Sequence, residues 1–364
     1  MIIQNLKLRN YRNYENLSAE FSPGINVITG ENAQGKTNLL ESMIYLSLTR
    51  SHRIANEKKL IAENQPFAEI SCSFSDEKEE KKLRAIIHPN GKSLFVNDYA
   101  VKKSSEFIGL LNVVLFAPDD LYLFNDQPRE RRRLMNQEIT KICPSYLISL
   151  NAYQNLLKER NIYLKKDRID NMYLDTLDEQ MAQEEEGILK QRQQFIDYIN
   201  ERITDLYQKL AMDDIKVHIN YRTCLEGEIN RDHIVEMHRK TRQKDTDYHM
   251  TTAGIHREDM VFEIEDRNLI QLASQGQKRM VMLAFKMALM EYIQSVTGKK
   301  PVFLLDDVLS ELDEQRQKNL FEMIREPYQC FITSTEVPAF IRNRQFSEYQ
   351  IHDGRITDIR GGRL

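Results

Sequence analysis

The chain has 364 residues, 41% hydrophobic and 29% charged, with 51 basic side chains against 55 acidic ones and a formal net charge of −4. That length suits roughly two domains with a large buried core. The composition reads as globular rather than disordered, and the slightly acidic balance speaks against indiscriminate nucleic-acid binding while leaving room for a local basic face.

In chain order, Leu6 and Leu8 alternate with charges, and Leu17, Ala19 and Phe21 alternate with polar residues, as strands do. Pro23-Gly24 marks a turn, and Ile25 to Thr29 is a further β-rich run that feeds into Gly30. Thr37 to Leu48 reads as a mostly buried helix. Phe67 to Phe74 alternates again, and Leu83–Ile87 and Leu94–Val96 flank Asn90-Gly91, the preferred dipeptide of a tight hairpin. From Arg129 to about Ala211 the pattern is polar and helical. There Phe195, Ile199, Ile203, Leu206 and Leu210 recur at three- and four-residue steps along one face. The break from Lys165 to Asn171 predicts two helices folded back on each other, with too few heptads for a long rod. Val217–Tyr221 and Met260–Ile264 alternate as strands. The expected organisation is residues 1–123, an inserted helical arm over 124–211, and 212–364.

The opening MIIQNLKLRNYRNY is too charged for a secretory signal. The most apolar long stretch, Met280 to Met290, is interrupted by Lys286 and too short to span a bilayer. Cys72, Cys143, Cys224 and Cys330 are far apart and form no CxxC, and His233 and His238 have no partners that complete a zinc set. The expectation is a cytoplasmic protein with reduced thiols and no membrane partner.

Three motifs carry chemistry. Gly30-Glu31-Asn32-Ala33-Gln34-Gly35-Lys36-Thr37 fits G-x-x-x-x-G-K-[ST] between a β-rich run and an apolar helix. Its glycines let backbone amides wrap phosphates, Lys36 reaches the β- and γ-phosphates, and Thr37 ligates Mg²⁺. Pro301 to Asp307 fits a Walker B strand. Its apolar run suits a strand buried on both faces, and Asp306 and Asp307 emerge at the carboxyl edge, where ligands bind in open α/β sheets. Asp306 is the expected Mg²⁺ holder and Asp307 the group that polarises the attacking water. Between the two motifs lie about 270 residues, far more than one mononucleotide unit needs, so something is inserted. Third, Ala273-Ser274-Gln275-Gly276-Gln277-Lys278-Arg279 opens a long apolar helix, with Ser274 where an N-cap belongs and Gly276 allowing close backbone approach. Ser310-Glu311-Leu312-Asp313 then has the form of a D-loop. The order matches ABC-type ATPases.

With these motifs in place, the sequence resembles the RecF family of bacterial recombination mediators along essentially its whole length. The matching blocks are LRNYRNY (8–14), GENAQGKTNLLE (30–41), SHR (51–53), VLFAPDDL (114–121), RERRRLMN (129–136), GIHREDM (254–260), ASQGQKR, LLDDVLSELD and FITSTE (331–336). The resemblance implies an α/β ABC/SMC-type P-loop ATPase head, a mixed sheet with helices, carrying an inserted helical subdomain. It implies ATP and Mg²⁺ as cofactors and an ATP-dependent homodimer. In that dimer, Lys36 and Thr37 bind ATP in cis, and Ser274, Gly276 and Gln277 act on the partner's nucleotide. Arg12 and Asn13 match a segment that touches nucleotide in related heads, and Asn32 is expected to help position water or phosphate. It further implies single- and double-stranded DNA as partners, mainly at gaps and junctions, together with RecR and the RecO/RecA pathway, in DNA repair, recombination, replication and the SOS response. Nucleoid association follows. The basic run Arg129, Arg131, Arg132 and Arg133, with Arg50 and Arg53, supplies the candidate phosphate contacts. The alternative for such a run is a solvated helix face or internal ion pairs.

The sequence also departs from the wider ABC pattern. Gln275 replaces a signature glycine, no Q-loop glutamine stands near Pro118-Asp119, Thr333-Ser334-Thr335 occupies the switch-histidine region, and Asp307 stands where a glutamate is usual. A slow, DNA-stimulated ATPase acting as a switch is expected. A transporter's nucleotide-binding domain, a non-catalytic ATP-dependent scaffold and a small-molecule P-loop kinase are the competing readings. The helical insert and the missing switch histidine speak against the first, Lys36, Asp306 and Asp307 against the second, and the signature and D-loop elements against the third.

Overall fold

The computed structural model describes residues 1–76, 79–125, 127–324, 328–342 and 344–361. The strands are β1 (Ile2–Tyr11), β2 (Tyr14–Glu20), β3 (Ile25–Thr29), β4 (Ala68–Ser75), β5 (Glu80–His88), β6 (Gly91–Val96), β7 (Tyr99–Val101), β8 (Val113–Phe116), β9 (Val217–Arg222), β10 (Asp259–Ile264), β11 (Arg267–Asn268), β12 (Val302–Asp306), β13 (Cys330–Ser334), β14 (Phe346–His352) and β15 (Arg355–Arg360). The helices are α1 (Lys36–Leu48), α2 (Tyr122–Asn125), α3 (Pro128–Ile142), α4 (Pro144–Tyr163), α5 (Asn171–Ala211), α6 (Arg231–Tyr248), α7 (Leu269–Leu272), α8 (Gln275–Thr297) and α9 (Glu314–Met323). Contacts divide the chain into two compact units. One is Met1–Asp120 with Asp205–Asp213 and Arg279–Leu364, and the other is Leu121–Thr204 with Asp214–Lys278.

The first unit holds two six-stranded sheets. One is antiparallel, in the order β2-β1-β4-β5-β6-β7. It packs one face inward, so Leu6, Leu8, Ile70, Phe74, Leu83 and Ala85 are buried while Lys7, Arg9 and Lys82 face water. That is the alternation expected of a sheet solvated on one side. The other runs β15-β14-β3-β13-β12-β8, parallel except for the edge strand β15. Its central strands β3, β13 and β12 are buried without alternation, and β12 is buried at every position. Helix α1 is buried over most of its length, and Leu39, Met43 and Tyr45 join the core formed by both sheets.

Register positions the chemistry. Asp306 lies opposite Thr333, Thr333 opposite Ile28, and Ser334 opposite Thr29. The ends of β12 and β13 and the loop after β3 therefore emerge at one edge. The mixed sheet with an apolar Asp-ended strand is the architecture expected from the sequence.

The second unit contains the helical hairpin, with α4 ending at Tyr163 and α5 starting at Asn171. The expected continuous helical pattern is broken once more, because Pro144 occupies the first turn of α4 and has no N–H to continue α3. The same unit also takes in residues 214–278. Side chains of α5 explain why: Asn200 donates to the Ile219 carbonyl (2.9 Å) and accepts its N–H (2.7 Å), and Thr204 donates to the Val217 carbonyl (2.7 Å). Strand β9 is thereby tied to the helix, and it carries the antiparallel β11-β10-β9 sheet with it. Helix α6 is absent from the sequence reading. Its charged composition hides a narrow inner stripe of Ile234, Val235, Met237, His238 and Asp245.

Among the described residues no helix is long and apolar enough to cross a membrane, and no cluster of His, Cys, Asp and Glu could hold a metal ion. The four cysteines are free thiols.

Candidate nucleotide site

The loop after β3 turns through conformations that demand its glycines. Gly30 has φ 150°, and a Cβ there would strike the Ile351 carbonyl oxygen. Gly35 has φ 114°, and a Cβ there would lie 2.5 Å from Asn13 Nδ2. Ala33 sits at φ 66°, in the left-handed region. Neighbouring turns hold the loop from outside: Asn13 donates to the Gln34 carbonyl (2.9 Å), Tyr14 donates to the Gly35 carbonyl (2.9 Å), and Gln34 Oε1 accepts the Asp353 N–H (2.6 Å). Helix α1 starts at Lys36 with no side-chain cap and no acidic residue in its first turn. Its leading amides and the positive end of its dipole are left for an anion. Lys36 Nζ folds back onto the carbonyls of Gly30 (2.5 Å) and Glu31 (2.8 Å). Burial lowers its pKa, against the opposing pull of Asp307 and Asp306.

Across the cleft, Asp306 Oδ1 accepts from Thr37 Oγ1 at 3.1 Å and from Thr333 Oγ1 at 2.7 Å. Thr333 Oγ1 in turn accepts the Asp307 N–H (2.9 Å). Burial raises the Asp306 carboxyl above its ordinary value despite hydrogen bonds from Thr333 and Thr37 and the nearby positive charge of Arg53. Asp307 adopts φ 51°, a conformation rare outside glycine that carries it off the strand axis. The cleft, about 240 Å³, is lined by Asn32, Ala33, Gly35, Lys36, Thr37, Asn38, Arg53, Asp306, Asp307 and Thr333.

The RecF/RecN/SMC N-terminal domain profile matches residues 2–357. The DNA replication and repair protein RecF of Listeria innocua is 38% identical over 367 residues, covering 98% of this chain and 99% of that protein. The RecF of Geobacillus kaustophilus is 36% identical with the same coverage. The chain belongs to the RecF family. A solved structure described as the recombination mediator protein RecF with ATP in the RecFOR pathway superposes with a TM-score of 0.89 at 30% identity, over 98% of this chain and 99% of that one. An Smc head bound to the C-terminal winged-helix domain of ScpA shares the fold, with a TM-score of 0.59 at 17% identity. The ABC/SMC-type head expected from the sequence is therefore the fold of this RecF-family chain.

The signature segment forms a reciprocal cap. Gln277 donates its N–H to Ser274 Oγ (3.2 Å), and Ser274 donates its N–H to Gln277 Oε1 (2.9 Å). Ser274 and Gln275 are exposed and Gly276 half-buried.

The arginines read as DNA contacts separate into three groups. Arg131 is buried and clamps Asp259 through Nε and Nη2 (2.7 and 2.9 Å), while Nη1 donates to the Leu123 carbonyl (3.2 Å). Arg132 is half-buried and donates to the Glu258 carbonyl. Arg53 lines the nucleotide cleft, 3.3 Å from Asn38 Oδ1. Only Arg50, Arg129 and Arg133 are exposed away from that cleft, and Arg133 pairs with Glu130 one helical turn earlier (2.9 Å). Arg12 does not reach the cleft lining; its guanidinium is paired with Glu41 at 2.9 Å.

Sequence reasoning missed Thr333 as the hydroxyl that orients Asp306, and Tyr14 and Asn38 as supports of the loop. A hydroxyl one residue from the end of a strand parallel to β12 was the available signal for the first of these.

Proposed function

We propose that this chain is an ATP-binding recombination mediator that dimerises on nucleotide and closes on DNA. The observation that carries it is the meeting of Lys36, Thr37, Asp306 and Thr333 in one cleft at an uncapped helix N-terminus. The residues fit the absent groups. Lys36 has two loop carbonyls as acceptors that phosphate oxygens could replace. Thr37 Oγ1 and Asp306 Oδ1, 3.1 Å apart, form the oxygen pair that would hold a nucleotide's Mg²⁺. When bound, Mg²⁺-ATP supplies the scissile phosphoanhydride. Lys36 and the α1 amides would bind and orient phosphate oxygens, Arg53 would add positive charge, and Asp307, an exposed residue of the cleft lining, would polarise water. Asp307 is one methylene shorter than a glutamate, which suits a slow switch.

Ser274, Gly276 and Gln277 read the partner's nucleotide in this scheme, and dimer assembly is linked to ATP because only the loaded face completes the second site. DNA of single- and double-stranded form is held through phosphates, with Arg50, Arg129 and Arg133 as the exposed contributors, so affinity falls steeply with salt and shows little base preference. RecR and the RecO/RecA pathway are the proposed partners, in recombinase loading at gaps.

Sedimentation at moderate salt tests this, with and without ATP and a gapped duplex, comparing wild type with Ser274→Arg. The expected result is an ATP-dependent dimer on DNA that the variant fails to form while still binding ATP. A monomer under all conditions, or DNA binding indifferent to ATP, refutes the clamp and leaves the scaffold reading.

A further inference from the structure

Behind the nucleotide cleft lies a polar cluster whose hub is Glu41, a carboxylate in the middle of the apolar helix α1 with no exposed surface. Such a group is costly to bury unless its lone pairs are filled. Here they are. Arg12 Nε and Nη2 donate to the two oxygens at 2.9 Å each, and Ser51 Oγ donates to Oε1 at 2.5 Å. Burial raises the Glu41 pKa, but hydrogen bonds from Arg12 and Ser51 outweigh it and hold the carboxyl below its ordinary value. Ser51, itself buried, accepts the N–H groups of Arg53 (3.0 Å) and Ile54 (3.1 Å) on the same oxygen. That hydroxyl thus nails down the turn from which Arg53 projects, and among the described residues Arg53 is the one arginine of the cleft lining.

From this geometry we infer that Glu41 and Ser51 are positioning residues that set Arg53 against the nucleotide phosphates. The inference rests on the ATP-binding reading above. An arginine on a flexible loop would lose side-chain and backbone entropy on meeting phosphate. One whose backbone N–H is already fixed to a buried hydroxyl, itself anchored on the Glu41 carboxylate, loses less. Arg12 completes the anchor by neutralising Glu41, and the residue after it, Asn13, holds the Gln34 carbonyl, so the phosphate loop and the Arg53 turn are braced from the same β1–β2 turn.

The experiment is a double-mutant cycle on the full chain with Ser51→Ala, Arg53→Ala and the pair. It is read by affinity for a fluorescent non-hydrolysable ATP analogue, by kcat and KM for ATP, and by unfolding midpoint without nucleotide. Positioning predicts that Ser51→Ala weakens analogue binding about tenfold, as loss of one well-oriented charged contact does. It predicts that the double variant is no weaker than Arg53→Ala alone, because Ser51 acts only through Arg53. Additive losses, or a change in unfolding midpoint with unchanged nucleotide affinity, would overturn it in favour of a purely structural pair. Glu41→Gln supplies a second entry to the cycle that keeps volume and weakens the anchor, and it too must be non-additive with Arg53→Ala. If wild type itself fails to bind the analogue, the ATPase reading falls; if wild type binds and Ser51→Ala binds equally well, only the positioning role falls.

Discussion

Thr333→Val removes one oxygen at the centre of the proposed metal site and leaves the shape nearly unchanged. Thr333 is buried, so the new methyl meets no water. Two hydrogen bonds are lost: donation to Asp306 Oδ1 at 2.7 Å and acceptance of the Asp307 N–H at 2.9 Å. The second leaves a backbone donor without that partner, so together they should cost about 2–3 kcal/mol of stability. The effect on Asp306 is separate. Its carboxyl is already held above the ordinary value by burial, and the Thr333 bond is the first of the forces opposing that rise. Removing it pushes the pKa further up. Mg²⁺ needs the ionised carboxylate, so a proton competes with the metal more strongly in the variant, and the acid limb of Mg²⁺-dependent nucleotide affinity moves to higher pH. Folding responds with the opposite sign: a raised carboxyl pKa favours the folded state below the unfolded value and loses that contribution as pH rises through the folded one. The assay is nucleotide affinity at fixed Mg²⁺ from pH 5 to 8, beside urea unfolding. An acid limb that stays where it is in wild type would refute Thr333 as the group that keeps Asp306 ionised.

Gly35→Ala forces a side chain into φ 114° and against Asn13; strain plus loss of the Asn13 brace should lower nucleotide affinity by about 2–3 kcal/mol, measured by fluorescence titration, and wild-type affinity would count against the cradle geometry. Arg131→Ala should destabilise folding by about 3 kcal/mol in urea, because it leaves the Asp259 carboxylate of a largely buried pair without its partner, while the salt dependence of DNA binding by folded protein stays unchanged. Arg129→Ala and Arg133→Ala should leave folding nearly untouched and each lower the slope of log affinity against log salt by about one, the reverse pattern. His52 and His256 are both held to a pKa of about 4 by burial. Depressed histidines give stability that is present above the unfolded value near 6.5 and lost as pH falls toward 4, so going from pH 6.5 to 5 should cost about 1–2 kcal/mol per residue. His52→Gln should flatten that part of the unfolding profile, and an unaltered profile would mean that His52 is not buried as a neutral ring.

Where a feature of the candidate site depended on local backbone chemistry, its position was readable in the sequence. The loop from Gly30 to Thr37 needs glycines at left-handed positions, and the strand before it and the helix after it have periodicities of their own. Asp306 was legible for the same reason, as a charge ending an apolar strand. Arg53 was not, because its place in the cleft depends on Ser51 and Glu41, which meet only after α1 has folded against the sheets. Nor was the extent of the second unit, whose strand β9 is tied to α5 by Asn200 and Thr204, polar residues on a helix that periodicity counts as solvent-facing. Helix α6 escaped because its inner stripe includes His238 and Asp245, groups a hydropathy pattern assigns to the surface.

The basic run at the start of α3 shows how charge misleads when helical phase is ignored. Arg131 stands four residues before Met135 and eight before Ile139, all three buried, so it lies on the inner stripe of the helix. Arg129 and Arg133 lie on other rows and are exposed. The second unit repeats the lesson at depth. Arg160 is fully buried between Asp178 (2.8 Å) and Asp245 (2.7 Å), joining α4, α5 and α6, and Arg192 is buried against Glu258 and the Ile255 carbonyl. Buried pairs of this kind add little net stability over well-packed apolar residues, yet removing one partner is severe. A shifted helix register would leave one of these carboxylates buried alone, at that same cost. Because arginines 131, 160 and 192 are paired inside the protein, the positive surface available to the proposed DNA contact is smaller than the count of basic residues suggests. On a chain of net charge −4, the two-copy clamp proposed above would double the contribution of Arg50, Arg129 and Arg133, the exposed members of the candidate set outside the cleft.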